Sequence, residues 1–244
     1  MTDVGAVREV NEDRYLASET LRLWAVADGM GGMSCGDWAA ARVIDALAAI
    51  ERSDDLNTMV ASAAAALEKA NRAIIDESEA RGEQMGTTAV VAVVRDDSFG
   101  VIWVGDSRAY LVRDRRLHRL TRDHSQVQEL VDHGLLEEAA AATHPLRNVL
   151  TRAVGISAPL DLDMVSDTLR PDDLLLLCSD GLYGVLGEAE MEAIINAAAI
   201  EEAGEAMIAR CHELGAPDNI TMVAITATEP TLVHFGEINS RITG

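Results

Sequence analysis

Four aspartates flank apolar runs. Asp28 closes Leu23-Trp24-Ala25-Val26-Ala27, Asp106 follows VIWVG, Asp180 follows LLLLCS, and Asp218 stands just before NITMVAIT. Their neighbours are small or turn-forming: Gly29, Gly105, Gly181, and Pro217 with Asn219. One such aspartate is ordinary turn chemistry, because its side chain bonds the local backbone. Four at the edges of strands that share a core imply more. If those edges converge, unpaired carboxylates repel one another and take up protons. A bound divalent cation removes that conflict. Carboxylates and backbone carbonyls are hard oxygen donors, suited to Mg²⁺, Mn²⁺ or Ca²⁺. The stretch VADGMGG, residues 26–32, puts a nearly bare backbone behind Asp28, open to close approach and able to offer the Gly29 carbonyl as a ligand.

Other chemistries lack their residues. No HExxH, CxxC or Cys/His cluster supports zinc, and the Ca²⁺ loop with its terminal Glu is missing. DGMGGM has neither GxGxxG spacing nor a following GK[ST], so no dinucleotide site or P-loop is expected. GxSxG is absent, and Ser179 in CSDG is not a nucleophile-elbow serine. His124 reads as a hydrogen-bonded structural histidine. Asn219-Ile220-Thr221 fits a glycosylation sequon, which has no consequence without a secretory leader.

Elements must position these acids. Residues 37–50 place Trp38, Ile44 and Leu47 near one side of a helix. In 53–81, Leu56, Val60, Ala63, Leu67, Ala70 and Ile74 recur in steps of four and three, giving a long amphipathic helix. Ser53 or Asp54 is its expected N-cap and Gly82 its stop. Residues 87–94, 100–106 and 108–114 are strand-like, with DSFG (97–100) and DRR (114–116) as hairpin connections. A helix-like stretch covers 123–134, while 137–150 has no clear pattern. LLLLCSDG (174–181) is a buried strand ending in Asp-Gly, helices follow at about 187–198 and 200–214, and 219–226 alternates as a last strand. Strands in antiparallel-looking runs and helices in pairs argue against a doubly wound parallel sheet.

Composition bounds the class. Nearly half of the 244 residues are apolar and a quarter charged, as in soluble globular proteins. The formal charge of −21 repels nucleic acid and anionic membranes, so neither is an expected partner. Cys35, Cys178 and Cys211 are too few and too scattered for a disulfide framework, which fits a reducing compartment. Met1 is followed at once by charged residues, and no apolar run approaches the ~18 residues of a membrane span, so a cytoplasmic location is expected.

Eight segments in order resemble the PPM-type, metal-dependent serine/threonine phosphatases (type 2C protein phosphatases) in their short bacterial form. They are TDVGAVREVNED (2–13), VADGMGG (26–32), GTTAVV (86–91), VGDSRAYL (104–111), LTRDHS (120–125), LTRAVG (150–155), CSDGLYGVL (178–186) and APDNIT (216–221). The resemblance implies an α+β fold, an αββα sandwich of two antiparallel sheets between helix pairs. It implies one domain over 1–228 with a variable flap at about 125–165, followed by a tail, 229–244, of no assigned role. The implied cofactor is Mg²⁺ or Mn²⁺: two core ions, with a third, weaker one. Asp28 would bridge the two, the Gly29 carbonyl would ligate one, and Asp180 and Asp218 would complete the set. Asp106 would help hold the third. Arg8 would bind the substrate phosphate, its planar fork donating two parallel hydrogen bonds. Glu12, Asp13 and Asn219 would stand behind the ligands, the two acids orienting metal-bound water. Met30 occupies a position where some members carry a histidine that protonates the leaving group. The start of the chain almost on the first motif leads to the expectation of a short first strand.

The implied activity is hydrolysis of phosphoserine and phosphothreonine in proteins, reversing a Ser/Thr kinase. Two divalent ions roughly 3.5–4 Å apart can activate a water and offset phosphoryl charge. Expected partners are phosphoproteins, including such a kinase and its targets, and the expected state is a monomer. Alternatives are a catalytically silent phosphoprotein-binding regulator and a phosphatase of small phosphate esters.

Overall fold

Strands buried at every residue need cover on both faces, and the chain supplies it in layers. The computed structural model describes residues 1–31, 35–141 and 143–227; the tail expected at 229–244 lies outside the described residues. In chain order the elements are β1 (Thr2–Asp3), β2 (Arg14–Ser18), β3 (Leu23–Ala27), β4 (Gly29–Met30), α1 (Cys35–Ala48), α2 (Leu56–Arg81), β5 (Gly86–Thr87), β6 (Ala89–Arg95), β7 (Ser98–Val104), β8 (Arg108–Arg113), β9 (Arg116–Arg119), α3 (Gln126–Asp132), α4 (Glu138–Ala141), β10 (Asp163–Thr168), β11 (Leu174–Cys178), α5 (Asp180–Leu186), α6 (Glu188–Ile195), α7 (Ile200–Glu213) and β12 (Ile220–Thr226).

The strands form two five-stranded sheets, ordered β1-β12-β11-β8-β9 and β10-β7-β6-β3-β2, with a small β4–β5 ribbon beside them. Every pairing is antiparallel. Side chains alternate between faces along a strand, so each buried strand feeds two cores. Trp24 and Val26 of β3 meet Leu175 and Leu177 of β11 in a core between the sheets, joined by Val90, Phe99 and Val101. Leu23 and Ala25, facing the other way, pack under Leu47 of α1 and Leu67 and Ile74 of α2. On the far side Leu176 and Met222 lie under Leu182, Met207 and Cys211 of the C-terminal helices. The order of layers is therefore αββα, as expected. No helix among the described residues is long and apolar enough to cross a membrane.

Several local expectations shift. The N-cap of α2 is Asp55, whose carboxylate accepts the Thr58 N–H at 2.8 Å, rather than Ser53 or Asp54. Gly82 ends that helix in the left-handed conformation, φ 69°, as read. The β6–β7 hairpin turns on Asp96-Asp97, with Asp96 at φ 49°, because Ser98 through Gly100 of DSFG already belong to β7. Asp114 and Arg115, φ 52° and 63°, form the tight turn expected at DRR. Asp180-Gly181 is no turn; Ser179 stands at the N-cap position of α5 without a side-chain cap bond, and the helix starts at Asp180. The edge strand β10, DMVSDT, escaped the sequence reading because it is polar and mostly exposed, and β7 recruits it by pairing. Segment 137–150 contains one short helix, α4.

Candidate metal centre

Asp28 ends β3, and a pair of threonines holds its backbone. Its N–H donates to Thr88 Oγ1 at 3.0 Å, and its carbonyl accepts the Thr88 N–H at 2.8 Å and the Thr87 hydroxyl at 2.9 Å. The next residue admits no side chain. A Cβ on Gly29 would stand 2.2 Å from the Gly36 carbonyl oxygen and 2.7 Å from that of Glu12. The bare backbone read from the sequence is thus required first by chain packing.

The other acids are fixed in comparable ways. Asp106 follows Gly105, whose φ of +98° suits glycine; its carbonyl accepts the Tyr183 hydroxyl at 3.0 Å. Asp180 opens α5 behind Ser179, a buried serine that accepts the Thr221 N–H and donates to Asp13 Oδ2 at 2.8 Å. Asp218 accepts the N–H of Asn219 on Oδ1 and Arg8 on Oδ2 at 2.7 Å. Asn219 clamps the segment that carries Arg8: its Oδ1 accepts the Glu12 N–H, and its Nδ2 donates to the Val4 and Val10 carbonyls at 2.9 and 3.0 Å.

Arg8, Glu12, Asp28, Gly29, Met30, Asp106, Asp180, Asp218 and Asn219 line one cleft of about 240 Å³. Asp13 lies buried behind it. All the candidate residues read from the sequence therefore meet in one place. Thr88 lines the cleft too, and so do Asn148 and Leu150 from the flap segment. None of these three has a role expected from its sequence position. Their residue types are common; Thr88 and Leu150 fell inside matched segments, and Asn148 did not.

Crowded carboxylates perturb one another. Burial, then the charges of Asp13, Asp180, Asp106 and Asp218, pushes the Asp28 carboxyl well above its ordinary range. Burial and Asp180 do the same to Asp106, with Arg108 opposing. Asp180 is pushed up to about 6, by burial first and Asp218 next, while Arg8 and a hydrogen bond with Asp28 pull it back. Asp13 is likewise raised to about 6, chiefly by burial and against its bonds to Ser179 and Thr221. Asp28 and Asp180 remain part-exposed as residues, where they line the cleft.

This arrangement fits hard divalent cations. The donors are all oxygen, and Arg8 is the cation lining the cleft. The buried Glu12 Oε1 has no hydrogen-bond partner among the described residues. Among those residues, no three acids, imidazoles or thiols are drawn together as a finished ligand cluster. Asp218 is drawn onto Arg8. His124 lies outside the cleft. It accepts the Gly105 N–H on Nδ1 at 3.2 Å and faces Asp163 through Nε2 at 3.1 Å, and burial lowers its pKa against the pull of Asp163. It is the structural histidine expected.

Comparison with known proteins agrees with this geometry. The family profile described as Protein phosphatase 2C matches residues 3–130. The chain is 33% identical over 237 residues to the serine/threonine phosphatase stp of Listeria monocytogenes, covering 92% of this chain and 93% of that one. PppA of Pseudomonas aeruginosa superposes with a TM-score of 0.87 at 35% identity, over 93% of this chain and 95% of its own. The catalytic domain of the phosphatase PstP, solved in complex with two manganese ions, superposes at 0.84 with 32% identity, over 94% and 96%. The chain belongs to the protein phosphatase 2C family, in the form found in bacteria.

Proposed function

We propose that this chain is a Mg²⁺- or Mn²⁺-dependent phosphatase of phosphoserine and phosphothreonine in proteins, reversing Ser/Thr kinase action, and that residues 1–228 act as one catalytic unit. The observation that carries this reading is the meeting of Asp28, Gly29, Asp106, Asp180 and Asp218 with Arg8 in one cleft. A silent, merely binding relative has no need for the complete acid set. Its natural partners are phosphoproteins, a kinase and its targets among them.

Asp28, Asp180, Asp218 and the Gly29 carbonyl would hold two ions and Asp106 a third, weaker one. Such ions, when bound, supply an activated water and offset charge on the phosphoryl group. The chain's own residues do the positioning, which dominates phosphoryl transfer because its transition state is loose. Arg8 extends a half-exposed guanidinium into the cleft mouth, where its fork matches two phosphate oxygens. Asn219 fixes the segment 4–12 that carries it. Ser179 and Asp13 hold the start of α5, and so the aim of Asp180. Met30 carries no proton for the leaving alkoxide, so the alkoxide would take its proton from water or depart unassisted.

The test is phosphate release from a phosphothreonine peptide with Mn²⁺ and with EDTA. Release is expected only with the metal, and Asp28→Ala should abolish it. Metal-dependent activity retained by that variant would sink the ligand assignment.

A further inference from the structure

A second space, of about 650 Å³, opens directly from the metal cleft; Arg8, Asp106, Asn148, Asp180 and Asp218 line both. It runs as a groove between α3 and α4 on one bank and α5 with the start of α6 on the other. Its deeper cations are already satisfied. Arg108 holds Asp123 through Nε and Nη2, at 3.0 and 2.7 Å, and lies 3.6 Å over the Tyr183 ring. Arg119 donates to Gln128 and to the Thr121 carbonyl. At the exposed positions stand Arg147, Glu138 and Glu188. Between these charges the banks present the aliphatic surface of Val131, Ala141 and Val185.

The floor of this groove contains a glycine that the fold does not explain. Helix α5 and its cap contain Gly181, Gly184 and Gly187. Gly181 is obligatory, since a Cβ there would stand 1.9 Å from the Asn219 carbonyl oxygen. Gly187 has φ +73°, which favours glycine. Gly184 has neither reason: its φ is not in the left-handed region, and among the described residues no heavy atom beyond its chain neighbours and its own helix backbone lies within 4 Å of where its Cβ would be. Glycine is also the poorest helix former after proline. Neither backbone geometry nor internal packing calls for it, yet it lines the groove.

We infer that the groove seats the residues next to the phosphorylated one in the bound protein, and that Gly184 keeps its floor open to their backbone. The occupant follows from continuity: a phosphoester held at Arg8 and the metal acids places the adjoining chain at the groove's mouth. The lining selects aliphatic neighbours. Acidic ones are disfavoured by Glu138, Glu188 and the −21 charge of the chain. This rests on the proposed phosphatase activity.

The experiment compares wild type with Gly184→Leu and Gly184→Ala, with Mn²⁺, on two substrates. One is p-nitrophenyl phosphate, which fits the cleft alone. The other is a phosphothreonine peptide with aliphatic residues on both sides. Gly184→Leu should lower the ratio of kcat/KM for peptide to that for the small ester by about tenfold or more, through the peptide KM. Gly184→Ala should lower it less, and neither variant should lose thermal stability, because each improves the helix. An unchanged ratio in a folded Gly184→Leu enzyme, or equal loss on both substrates, overturns the groove assignment while leaving the phosphatase reading intact. A wild type that hydrolyses the small ester but never the peptide overturns both.

Discussion

A carboxylate buried among other carboxylates destabilises a protein until a cation joins it. Asp180, raised to about 6 by burial and by Asp218, is such a group. Asp180→Asn should therefore raise the melting temperature in EDTA by about 2–6 °C, on the order of 1–2 kcal/mol, while removing metal-dependent hydrolysis. Mn²⁺ should raise the melting temperature of wild type and leave the variant nearly unmoved; thermal unfolding with and without metal reads both effects. A variant less stable than wild type in EDTA would mean that Asp180 is stabilised by bonds rather than strained by its neighbours. Arg8 makes the opposite kind of contribution. It is half-exposed and bonded to Asp218, so its loss should cost the fold little. Arg8→Ala should lower kcat/KM for phosphoesters by about 10- to 100-fold, the worth of hydrogen bonds to a charged group; unchanged kinetics would return Arg8 to the solvent. The acids were legible because four of them flank apolar runs expected to share one core, whereas any one alone reads as turn chemistry. Thr87 and Thr88 do as much to aim Asp28, through hydroxyls bonded to backbone, and no spacing rule announces such bonds.

Elements differ in how much of them a single chain can reveal. β3 and β11 are apolar throughout, β6 is apolar up to its last residue, Arg95, and all three bury every residue, so hydrophobicity alone found them. β10 is DMVSDT, exists because β7 has a free edge, and has no pattern of its own. The segment 4–12 is likewise held from outside. Asn219 grips it at Val4, Val10 and Glu12, and Ala6 bonds the Ala216 carbonyl at 2.9 Å. Gly5, at φ +78°, presses against the Asp218 carbonyl, where a Cβ would stand 2.3 Å away. Asn219→Ala removes the three side-chain bonds, at about 1–3 kcal/mol. Amide exchange at Glu12 should accelerate while the β6 and β11 amides stay protected, and the KM for phosphopeptide should rise as Arg8 loses its support. Unaltered exchange at Glu12 would show that Gly5 and Ala6 suffice to dock the segment.

Two sheets facing each other must be held in register at their ends as well as through their core. Arg113, the last residue of β8, does this on one side. It donates Nε and Nη2 to Asp173 just before β11, at 3.1 and 2.6 Å, and Nη2 also reaches the Thr168 carbonyl at the end of β10, in the other sheet. Burial works to raise the Asp173 carboxyl, but the Arg113 bonds, the Arg170 N–H and the Arg113 charge outweigh it and hold the pKa below its ordinary value. The depressed folded value fixes the sign. Asp173 contributes stability above its unfolded pKa, about 3.9, and that contribution is lost as pH falls through the lower folded pKa. Breaking a buried pair by removing one partner costs about 3 kcal/mol. Asp173→Asn should thus lower the melting temperature at pH 7 by about 6–12 °C. The gap to wild type should narrow steadily below about pH 4, as Asp173 itself takes up a proton. Strand runs and helix pairs made sheets covered by helices readable and the family resemblance implied the αββα order, whereas this tie was not readable, since Arg113 and Asp173 are sixty residues apart and look like surface charges. Thermal unfolding of both proteins from neutral to acid pH decides the matter: a gap that stays constant would show that Asp173 acts through packing and not through its charge on Arg113.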